Sequence, residues 1–216
     1  MVHQKVRIHP TAIVEDGVSI GAGTSVWDNA HIRTGAVVGK QCIIGEKTYI
    51  AGSTAIGNRV KINACVYIPA YVMVEDGVMI AAHTVFTNDQ FPRACNSEIT
   101  ELLSSSVDES TRPTMVRKGA TIGANCTIGN NLTIGQYAMV GMGAVVTKSV
   151  EDFQMVIGVP AKAVAVVCRC GHPLHYFNET PMAEGQKLDC ELCGWRFEAT
   201  GLTVKDLGSR TEARVA

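Results

Sequence analysis

The sequence predicts an all-β chain: a parallel solenoid of six-residue repeats, one long loop, and a small metal-binding ribbon at the C-terminal end. Two observations support this prediction. Apolar residues recur every six positions, and four cysteines form two knuckles late in the chain. The repeat is clearest in IGANCTIGNNLTIG, residues 122–135, where isoleucine followed by glycine occurs three times. Neither the helical period of 3.6 nor the strand period of two gives six by itself, so a larger unit is repeating.

The six-residue register extends over twenty positions, and all of them are apolar. At 46% hydrophobic content, chance would produce this with a probability on the order of 10⁻⁷. The residue four positions later is mostly small or β-branched, which predicts that both positions face a narrow interior. Glycine follows eight of the twenty positions, which predicts a tight bend between short strands. The twenty positions are Ile8, Val14, Ile20, Val26, Ile32, Val38, Ile44, Ile50, Ile56, Ile62, Ile68, Val74, Ile80, Phe86, Val116, Ile122, Ile128, Ile134, Val140 and Val146.

One hexad is too short to bury its own apolar face, so the repeats must stack into a solenoid with a shared core. The pattern resembles the left-handed parallel β-helix of hexapeptide-repeat acyltransferases, in which three hexads form one triangular coil. The resemblance implies a β-helix over residues 1–166 with between six and seven coils from the twenty hexads.

One insertion, residues 87–115, interrupts the repeat with TNDQFPRACNSEITELLSSSVDESTRPTM. Loops of this length in compact domains are commonly functional or disordered. Asn88, Asp89 and Arg93 follow the last regular hexad directly, and Pro92 stiffens the exit. An Asx turn is the alternative explanation for the first two residues, and a surface salt bridge is the alternative for Arg93. The second half is rich in serine, threonine and acids, which is also compatible with a merely flexible segment.

The segment VFTNDQFPRA, with VKINACVYIPAYVMVEDGVMIAAHTVFTND before it, is similar to bacterial nucleotide-sugar N-acetyltransferases. The resemblance implies acetyl-CoA-dependent acetylation of an amino group on a UDP- or dTDP-linked sugar, in the biosynthesis of a surface polysaccharide such as O-antigen or lipopolysaccharide. It further implies a homotrimer with sites between subunits. Asn88 and Asp89 would then be catalytic, while Arg93 and His31 would contact the sugar nucleotide.

Two later segments, VGMGAVVTKSV and VIGVPAKAV, are similar to the last coils of hexapeptide acyltransferases. In that family the pantetheine arm and nucleotide of CoA lie in a groove between neighbouring subunits. The resemblance implies that backbone groups near Gly141 and Gly143 contact the pantetheine, and that Lys148 and Lys162 meet CoA phosphates. A solvated surface charge is the alternative for either lysine.

His83, three residues into its hexad and just before the loop, is the candidate general base. A sugar amine is partly unprotonated near neutral pH, so amine transfer does not require a strong base. O-acetylation of a sugar or small hydroxyl compound depends more heavily on such a histidine, and it remains an alternative activity. A noncatalytic trimeric scaffold is the other alternative.

The segments CRCGHPLHYF and CELCGWRF place Cys168, Cys170, Cys190 and Cys193 in two knuckles. This spacing predicts a zinc ribbon over residues 167–205, in which four protein ligands leave no position for substrate and make the zinc structural. The first knuckle has one intervening residue instead of the commoner two, so His172 or His175 remains an alternative ligand. Residues 206–216 are predicted to be a polar tail.

Composition agrees with a soluble protein, with 216 residues, 18% charged residues, 6% aromatic residues and a net charge of −1. No apolar run approaches the ~20 residues that span a bilayer. The start, MVHQKVRIHP, lacks the apolar segment of a secretory signal, so we expect a cytoplasmic protein. The ribbon has no dense basic stripe, so we expect no nucleic-acid partner.

Overall fold

The computed structural model describes residues 5–104, 111–178 and 180–209. These residues form 26 strands in four sheets and no helix. The prediction of an all-β parallel solenoid of hexapeptide repeats is confirmed. Across the described ranges, no helix offers the length and apolar character needed to cross a membrane.

Three of the sheets are the faces of the solenoid, and their short strands pair in parallel with the strand one coil away, as Ile62 does with Ile80. The first face contains β1 (Arg7–Ile8), β4 (Ser25–Val26), β7 (Ile43–Ile44), β10 (Lys61–Ile62), β13 (Met79–Ile80), β16 (Thr121–Ile122) and β19 (Met139–Val140). The second face contains β2 (Ile13–Val14), β5 (His31–Ile32), β8 (Tyr49–Ile50), β11 (Tyr67–Ile68), β14 (Val85–Phe86), β17 (Thr127–Ile128) and β20 (Val145–Val146). The third face contains β3 (Ser19–Ile20), β6 (Val37–Val38), β9 (Ala55–Ile56), β12 (Val72–Val74), β15 (Thr114–Val116) and β18 (Thr133–Ile134).

The predicted apolar positions from Val26 onward form the buried interior of the solenoid, whereas Val14 and Ile20 are half-buried and Ile8, in the first coil, is 47% exposed. Ile32, Ile62 and Ile122 are fully buried, and so is Ala36 at the small position four residues after a slot. Where threonine takes the small position, its hydroxyl donates to a carbonyl of the next coil, as Thr24 Oγ1 does to Gly39 O at 2.8 Å. These hydrogen bonds satisfy the buried hydroxyls and keep the interior narrow.

Glycine has a different role at the corners from the one the sequence predicts. A left-handed residue lies three positions after seventeen of the twenty slots, and in eleven of these it is not glycine, as at Asn29 (φ 54°) and His83 (φ 61°). Glycine one position after the slot instead permits close approach of the coils. A Cβ on Gly39 would lie 2.3 Å from the carbonyl oxygen of Gly57. The predicted bend is present, because a turn or bend follows each of these glycines, but glycine is needed there because the neighbouring coil leaves no room for a side chain.

The solenoid extends beyond the twenty predicted hexads. Ile134 forms a parallel bridge with Val150, and β21 (Gln154–Ile157) pairs in parallel with β19. The step from Val146 to Val150 is four residues instead of six, so a strict six-residue count misses this coil. The first face therefore has eight parallel strands, one more than the twenty hexads supply.

The cysteine-rich segment continues the first face. Strand β22 (Lys162–Val167) pairs antiparallel with β21, and β23 (Pro173–Tyr176) pairs antiparallel with β22. A separate sheet contains β24 (Lys187–Asp189), β25 (Trp195–Thr200) and β26 (Thr203–Ser209). Residues 206–209, predicted to begin the tail, thus belong to β26, and the rest of the predicted tail lies outside the described residues. The predicted boundary at residues 166 and 167 falls within the continuous sheet.

The loop begins after β14 and ends where β15 starts at Thr114. Its first half contains a small hairpin, in which Cys95 and Leu102 form an antiparallel bridge and Leu103 N donates to Ala94 O at 2.9 Å. Most of the serine- and acid-rich part predicted to be flexible, residues 105–110, lies outside the described residues.

Candidate functional site

A cleft of about 560 Å³ runs along the second face where it meets the start of the loop. It contains charged, aromatic and small residues from five successive coils. Its lining residues are Glu15, Arg33, Thr34, Tyr49, Ala51, Gly52, Ser53, Tyr67, Pro69, Ala70, Asn88 and Asp89. The cleft is within the range of volumes typical of small-molecule sites.

An aromatic ladder forms one wall of the second face. His31, Tyr49 and Tyr67 occupy the same position on three successive coils, because β5, β8 and β11 pair in register. The rings of Tyr49 and Tyr67 stack at 5.2 Å with an angle of 8°, and His31 meets Tyr49 edge-on at 5.5 Å. These contacts fix the tyrosine rings beside the cleft.

Glu15 organises the polar end of the cleft. Its carboxylate accepts a hydrogen bond from Thr34 N at 2.8 Å and contacts His31 Nε2 at 2.9 Å and Arg33 Nε at 2.6 Å. The Thr34 amide and then His31 lower the pKa of Glu15 to about 2. Arg33 also donates to the Tyr49 hydroxyl at 3.1 Å. The predicted substrate residue His31 is therefore held beside the cleft through Glu15 and Tyr49.

Asn88 and Asp89 enter the cleft directly after β14. Asn88 is half-buried and Asp89 is exposed. Within the described ranges, neither side chain has a hydrogen-bond partner, so an Asx turn does not account for them there. Both groups are available to a ligand beside Ser53 and Tyr67.

His83 lies at the opposite end of β14, on the exposed corner between β13 and β14. Backbone hydrogen bonds join this corner to those of the following coils, since Asn125 N donates to Ala82 O and Gly143 N to Ala124 O. His83 is thus two coils, about 10 Å, from Gly143 along one corner. Within one chain the structure brings Asn88 and Asp89 together but not His83.

The predicted cofactor glycines, Gly141 and Gly143, lie on the corner between β19 and β20. Their amides donate to Val156 O and Ala124 O, both at 2.8 Å, so these two N–H groups already have partners. A Cβ on Gly141 would lie 2.6 Å from Ile157 Cγ2, whereas Gly143 has open space and a φ of 71°. The corner is therefore flat and accessible, with the intervening Met142 83% exposed.

Lys148 and Lys162 are both exposed near the C-terminal end of the second face. Lys148 follows β20, and Lys162 begins β22. The segment that precedes Lys162 borders β20, because Val145 N donates to Gly158 O at 3.1 Å and Ala161 N donates to Val145 O at 2.8 Å.

Arg93 does not line the cleft. It borders a separate hollow of about 640 Å³ within the loop hairpin, together with Cys95, Asn96 and Ile99. Its guanidinium donates to the carbonyl of Pro92 at 2.9 Å. The structure thus separates this predicted substrate residue from Asn88 and Asp89.

The four predicted metal ligands converge. The sulfurs of Cys168, Cys170, Cys190 and Cys193 all lie within 4.8 Å of one another, with 3.7 Å between Cys170 and Cys190. A tetrahedral zinc site with Zn–S bonds of ~2.3 Å has sulfurs about 3.8 Å apart, so the donor set fits such an ion. Burial raises the pKa of the Cys190 thiol, but hydrogen bonds from the Cys193 and Leu192 amides lower it to about 7.

The two histidines left open as alternative ligands do not join this cluster. His175 Nε2 contacts the carbonyl oxygen of Thr180 at 2.7 Å, and His172 O accepts a hydrogen bond from Cys168 N. The one-residue spacing of the first knuckle therefore does not exclude a four-thiolate arrangement.

Arg169, between the first two cysteines, attaches the cysteine cluster to the last coils. Its guanidinium lies 4.0 Å from the ring centre of Trp195 and 5.0 Å from that of Tyr137, and its Nε contacts Asp206 at 2.5 Å. Tyr137 in turn stacks on Phe153 at the last solenoid corner. The cysteine cluster therefore packs directly on the C-terminal end of the solenoid.

Sequence reasoning missed Glu15, Arg33, Tyr49 and Tyr67. Their signal is an eighteen-residue spacing, because Glu15 and Arg33 are one coil apart, as are Tyr49 and Tyr67. Motif comparison does not detect this spacing, since Glu15, Arg33 and Tyr49 precede the segment that carries the resemblance and only Tyr67 lies within it.

Comparison with known proteins identifies the repeat. Residues 17–52 and 113–148 match the bacterial transferase hexapeptide (six repeats) family. The chain is 37% identical over 99 residues to dTDP-3-amino-3,6-dideoxy-alpha-D-galactopyranose 3-N-acetyltransferase from Aneurinibacillus thermoaerophilus. That match covers 46% of this chain and 47% of the relative. A stretch of 32 residues is 59% identical to an acyl-[acyl-carrier-protein]–UDP-N-acetylglucosamine O-acyltransferase from Brucella anthropi, covering 15% of this chain and 12% of that protein. The chain thus spans about half the length, or less, of these curated relatives.

Similar solved structures include the acetyltransferase domain of PglB from Neisseria gonorrhoeae with acetyl coenzyme A. It is 20% identical, covers 75% of this chain and 58% of that one, and has a TM-score of 0.48. A variant of AntD, an N-acyltransferase from Bacillus cereus, in complex with dTDP and coenzyme A is 23% identical. It covers 76% of this chain and 82% of that one, with a TM-score of 0.46.

Proposed function

We propose that this hexapeptide-repeat protein is an acetyl-CoA-dependent N-acetyltransferase that acetylates an amino group of a nucleotide-linked sugar. The observation that carries the proposal is the pair Asn88 and Asp89, which face one cleft without partners in the described part of the chain. An exposed carboxylate beside an amide suits a substrate amine, because it attracts the ammonium form and orients the neutral form. The similarity to a dTDP-amino-sugar N-acetyltransferase supports the same substrate class.

The proposed reaction depends on the positioning of the two substrates more than on strong acid or base catalysis. The sugar nitrogen attacks the thioester carbonyl, so a C–N bond forms and an oxyanion develops. The C–S bond then breaks and the CoA thiolate leaves. Asp89 accepts a proton from the nitrogen, which becomes strongly acidic once it has attacked, and Asn88 hydrogen-bonds the sugar beside the reacting centre. Holding the two substrates together supplies several kcal/mol of the barrier.

We further propose a homotrimer with the reaction between subunits. Within one chain, His83 and the glycine corner lie at one end of β14, while Asn88 and Asp89 lie at the other. A neighbouring copy would bring a second corner to the cleft. The outward side chains of the second face support such an interface, since Ile13, Tyr67 and Val85 remain 56%, 45% and 39% exposed.

Zinc is the proposed metal of the four-cysteine cluster. Four thiolates in a closed set suit structural zinc and leave no position for a reacting group. Through Arg169 and its aromatic neighbours, the metal would stabilise the end of the solenoid that carries Lys162. We place the whole reaction in the cytoplasm, where acetyl-CoA and nucleotide sugars meet, within surface polysaccharide biosynthesis.

The test is release of free CoA thiol by purified protein with acetyl-CoA and a panel of UDP- and dTDP-linked amino sugars. We expect release with an amino sugar and a loss of about 100-fold or more in kcat/KM for Asp89→Asn, since proton transfer contributes roughly that factor. Asp16→Asn, at an exposed corner outside the cleft, is the matched control and should stay within about twofold. Full activity of Asp89→Asn would contradict the catalytic role of Asp89. If no sugar gives thiol release and the protein does not bind CoA, a trimeric scaffold is favoured instead.

O-acetyl transfer is the second candidate, favoured by the short match to an O-acyltransferase and by the exposed corner histidine. A hydroxyl nucleophile needs a base to activate it. Release with hydroxyl sugars alone, lost in His83→Asn, would therefore replace the amine reaction.

A further inference from the structure

The loop hairpin, residues 91–103, presents large apolar side chains to solvent. Phe91 and Leu102 are both 83% exposed, Ile99 is 80% exposed and Leu103 is 51% exposed. Single exposed apolar residues are ordinary on protein surfaces, but several close together form a patch, and such patches mark interaction sites. The loop hairpin therefore carries an apolar surface that its own chain leaves uncovered.

Hydrogen bonds hold the turn of this hairpin in one shape. Asn96 Oδ1 accepts from Thr100 N at 2.9 Å and from Glu101 N at 3.3 Å, and Asn96 Nδ2 donates to Thr100 Oγ1 at 2.9 Å. Ile99 lies within this turn with a φ of 57°, a conformation that a β-branched residue adopts only at a cost. A free surface turn gains nothing from isoleucine at this position, whereas a turn that contacts a partner does.

A hollow of about 530 Å³ lies at the C-terminal end of the first face, lined by β21, β22, β23 and the two residues that follow β23. We call it the C-terminal hollow. Six of its seven lining residues are apolar or aromatic, including Met155, Ile157 and Tyr176. Ile157 and Tyr176 remain 43% and 39% exposed. It is therefore a concave apolar surface, of the kind that accepts a protruding apolar one.

The charges beside the two surfaces are opposite. Glu98 and Glu101 are exposed on the turn of the loop hairpin. Lys162 is exposed beside the C-terminal hollow, where it pairs with Ile157 in the β21–β22 register. Opposite charges around an apolar contact steer association and fix its register. The hollow therefore favours an apolar segment with acidic neighbours, and the loop hairpin is such a segment.

The proposed reaction between subunits brings the two surfaces together. It places the glycine corner of one chain against the cleft of the next. The C-terminal hollow begins at that corner, because Gly141 N donates to Val156 O at 2.8 Å and the missing Cβ of Gly141 accommodates Ile157 Cγ2. The loop hairpin begins at the cleft, two residues after Asp89. The hairpin of one chain and the hollow of its neighbour therefore lie at the same junction.

The loop hairpin is long enough for this contact. It follows β14, the fifth strand of the second face, while β21 is the eighth strand of the first face. In a ring of copies with parallel solenoid axes, three coils, roughly 14 Å, separate the two levels. The arms pair at Ala94 and Leu103, and Ile99 lies five residues beyond Ala94, which gives a reach of at most about 17 Å.

We infer that the loop hairpin of one chain docks in the C-terminal hollow of a second copy of this chain. Phe91, Ile99 and Leu102 enter the hollow, and the two glutamates lie beside Lys162. The inference rests on the proposed reaction between subunits, and it gives the loop and the cysteine-rich segment a shared role. Because the two surfaces differ, the contact is heterologous, and three such contacts close a ring.

The first test is sedimentation equilibrium of the full-length protein over a range of concentrations. Leu102→Asp in the hairpin and Tyr176→Asp in the hollow should each weaken trimer assembly by about thirtyfold or more, a loss typical of a residue at the centre of an interface. Leu202→Asp, at a 60% exposed leucine between β25 and β26, is the matched control and should assemble like the natural protein.

Mixing the two variants separates a lost contact from a folding defect. Leu102→Asp keeps an intact hollow, and Tyr176→Asp keeps an intact hairpin. An equimolar mixture should therefore form one-to-one pairs but no closed trimer, since only one kind of junction survives. A mixture that stays monomeric, although circular dichroism shows both variants folded, would overturn the inference.

Charge reversal tests the rim of the contact. Glu98→Lys combined with Glu101→Lys should weaken assembly severalfold at low salt. Adding Lys162→Glu to the same chain should recover most of that loss, because it restores opposite charges. Failure of Lys162→Glu to recover assembly would overturn the placement of the hairpin in this hollow.

Trimers that tolerate both Leu102→Asp and Tyr176→Asp would overturn the inference while leaving the proposed function intact. Intact trimers of Tyr176→Asp with weakened CoA binding would also overturn it and assign the hollow to the cofactor. If the natural protein releases CoA thiol with an amino sugar but sediments as a monomer, the inference fails and the proposed activity stands. If its trimers depend on both surfaces but no sugar gives thiol release, the interface stands and the proposed activity fails.

Discussion

Replacing Gly39 by alanine should destabilise the solenoid more than replacing Gly77, although only Gly77 has a left-handed backbone. A Cβ at Gly39 would lie 2.3 Å from a backbone oxygen of the next coil, and ordinary contacts begin near 3.4 Å. The neighbouring coil must therefore move by roughly 1 Å, and backbone cannot rotate away as a side chain does. Overpacking of this kind costs up to about 3 kcal/mol. Gly77, with φ +70°, has nothing within 4 Å of its missing Cβ, so alanine there costs only the left-handed conformation, about 1 kcal/mol.

Thermal melts followed by far-ultraviolet circular dichroism measure the difference. For a chain of this size, about 1 kcal/mol shifts Tm by roughly 2–4 °C, so Gly39→Ala should melt some 6–12 °C lower and Gly77→Ala some 2–4 °C lower. An equal or larger drop in Tm for Gly77→Ala would refute this explanation, because it would show that backbone conformation, and not the spacing between coils, requires glycine at these corners.

Two further measurements follow from the structure. Because its partners lower the pKa of Glu15 to about 2, the stability that its carboxylate provides is complete above the ordinary pKa of 4.5 and is lost as the pH falls toward 2. Glu15→Gln should therefore lower Tm at pH 7, and its difference from the natural protein should shrink between pH 4.5 and 2; a constant difference would count against the ion pairs. Metal analysis should find about one zinc per chain in the natural protein, none in Cys190→Ser and an unchanged amount in Cys65→Ser. Equal zinc in Cys190→Ser and the natural protein would contradict the four-thiolate site.

The repeat could be predicted from the sequence because its cause is local. Every coil needs an apolar residue and a small residue at fixed spacing, so Ile32 and Ala36 are recognisable without knowing their neighbours. The additional coil at Val150 could not be predicted in this way, because the four-residue step after Val146 shifts the register. The role of Gly39 was also hidden, since the atom that excludes a side chain belongs to the next coil.

The candidate site was only partly predictable for the same reason. Asn88 and Asp89 are neighbours in sequence, so one motif identifies both. Glu15 and Arg33 meet across coils, and only counting the sequence in steps of eighteen would have brought them together. The cysteine cluster was partly predictable. Each knuckle is recognisable from residues close together in the sequence, whereas the convergence of the two knuckles depends on the hairpins around them.

The candidate reactive groups lie at the two ends of β14, and this separation limits how one chain could bring an acetyl donor and an amine together. The corner with His83 and, two coils on, Gly143 lies at one end of this strand, and the cleft with Asp89 lies at the other. An acetyl group held at that corner would have to cross the outward second face, past Val85, to reach an amine beside Asp89 in the same chain. The 39% exposed Val85 offers neither a charge nor a hydrogen bond to hold a thioester on that path. A second copy packed on this face removes the crossing, because its own corner can lie against the cleft while its apolar side chains cover Val85. Because the glycine corner and the cleft lie at opposite ends of β14, one chain does not form a complete site. This geometry favours a reaction between subunits.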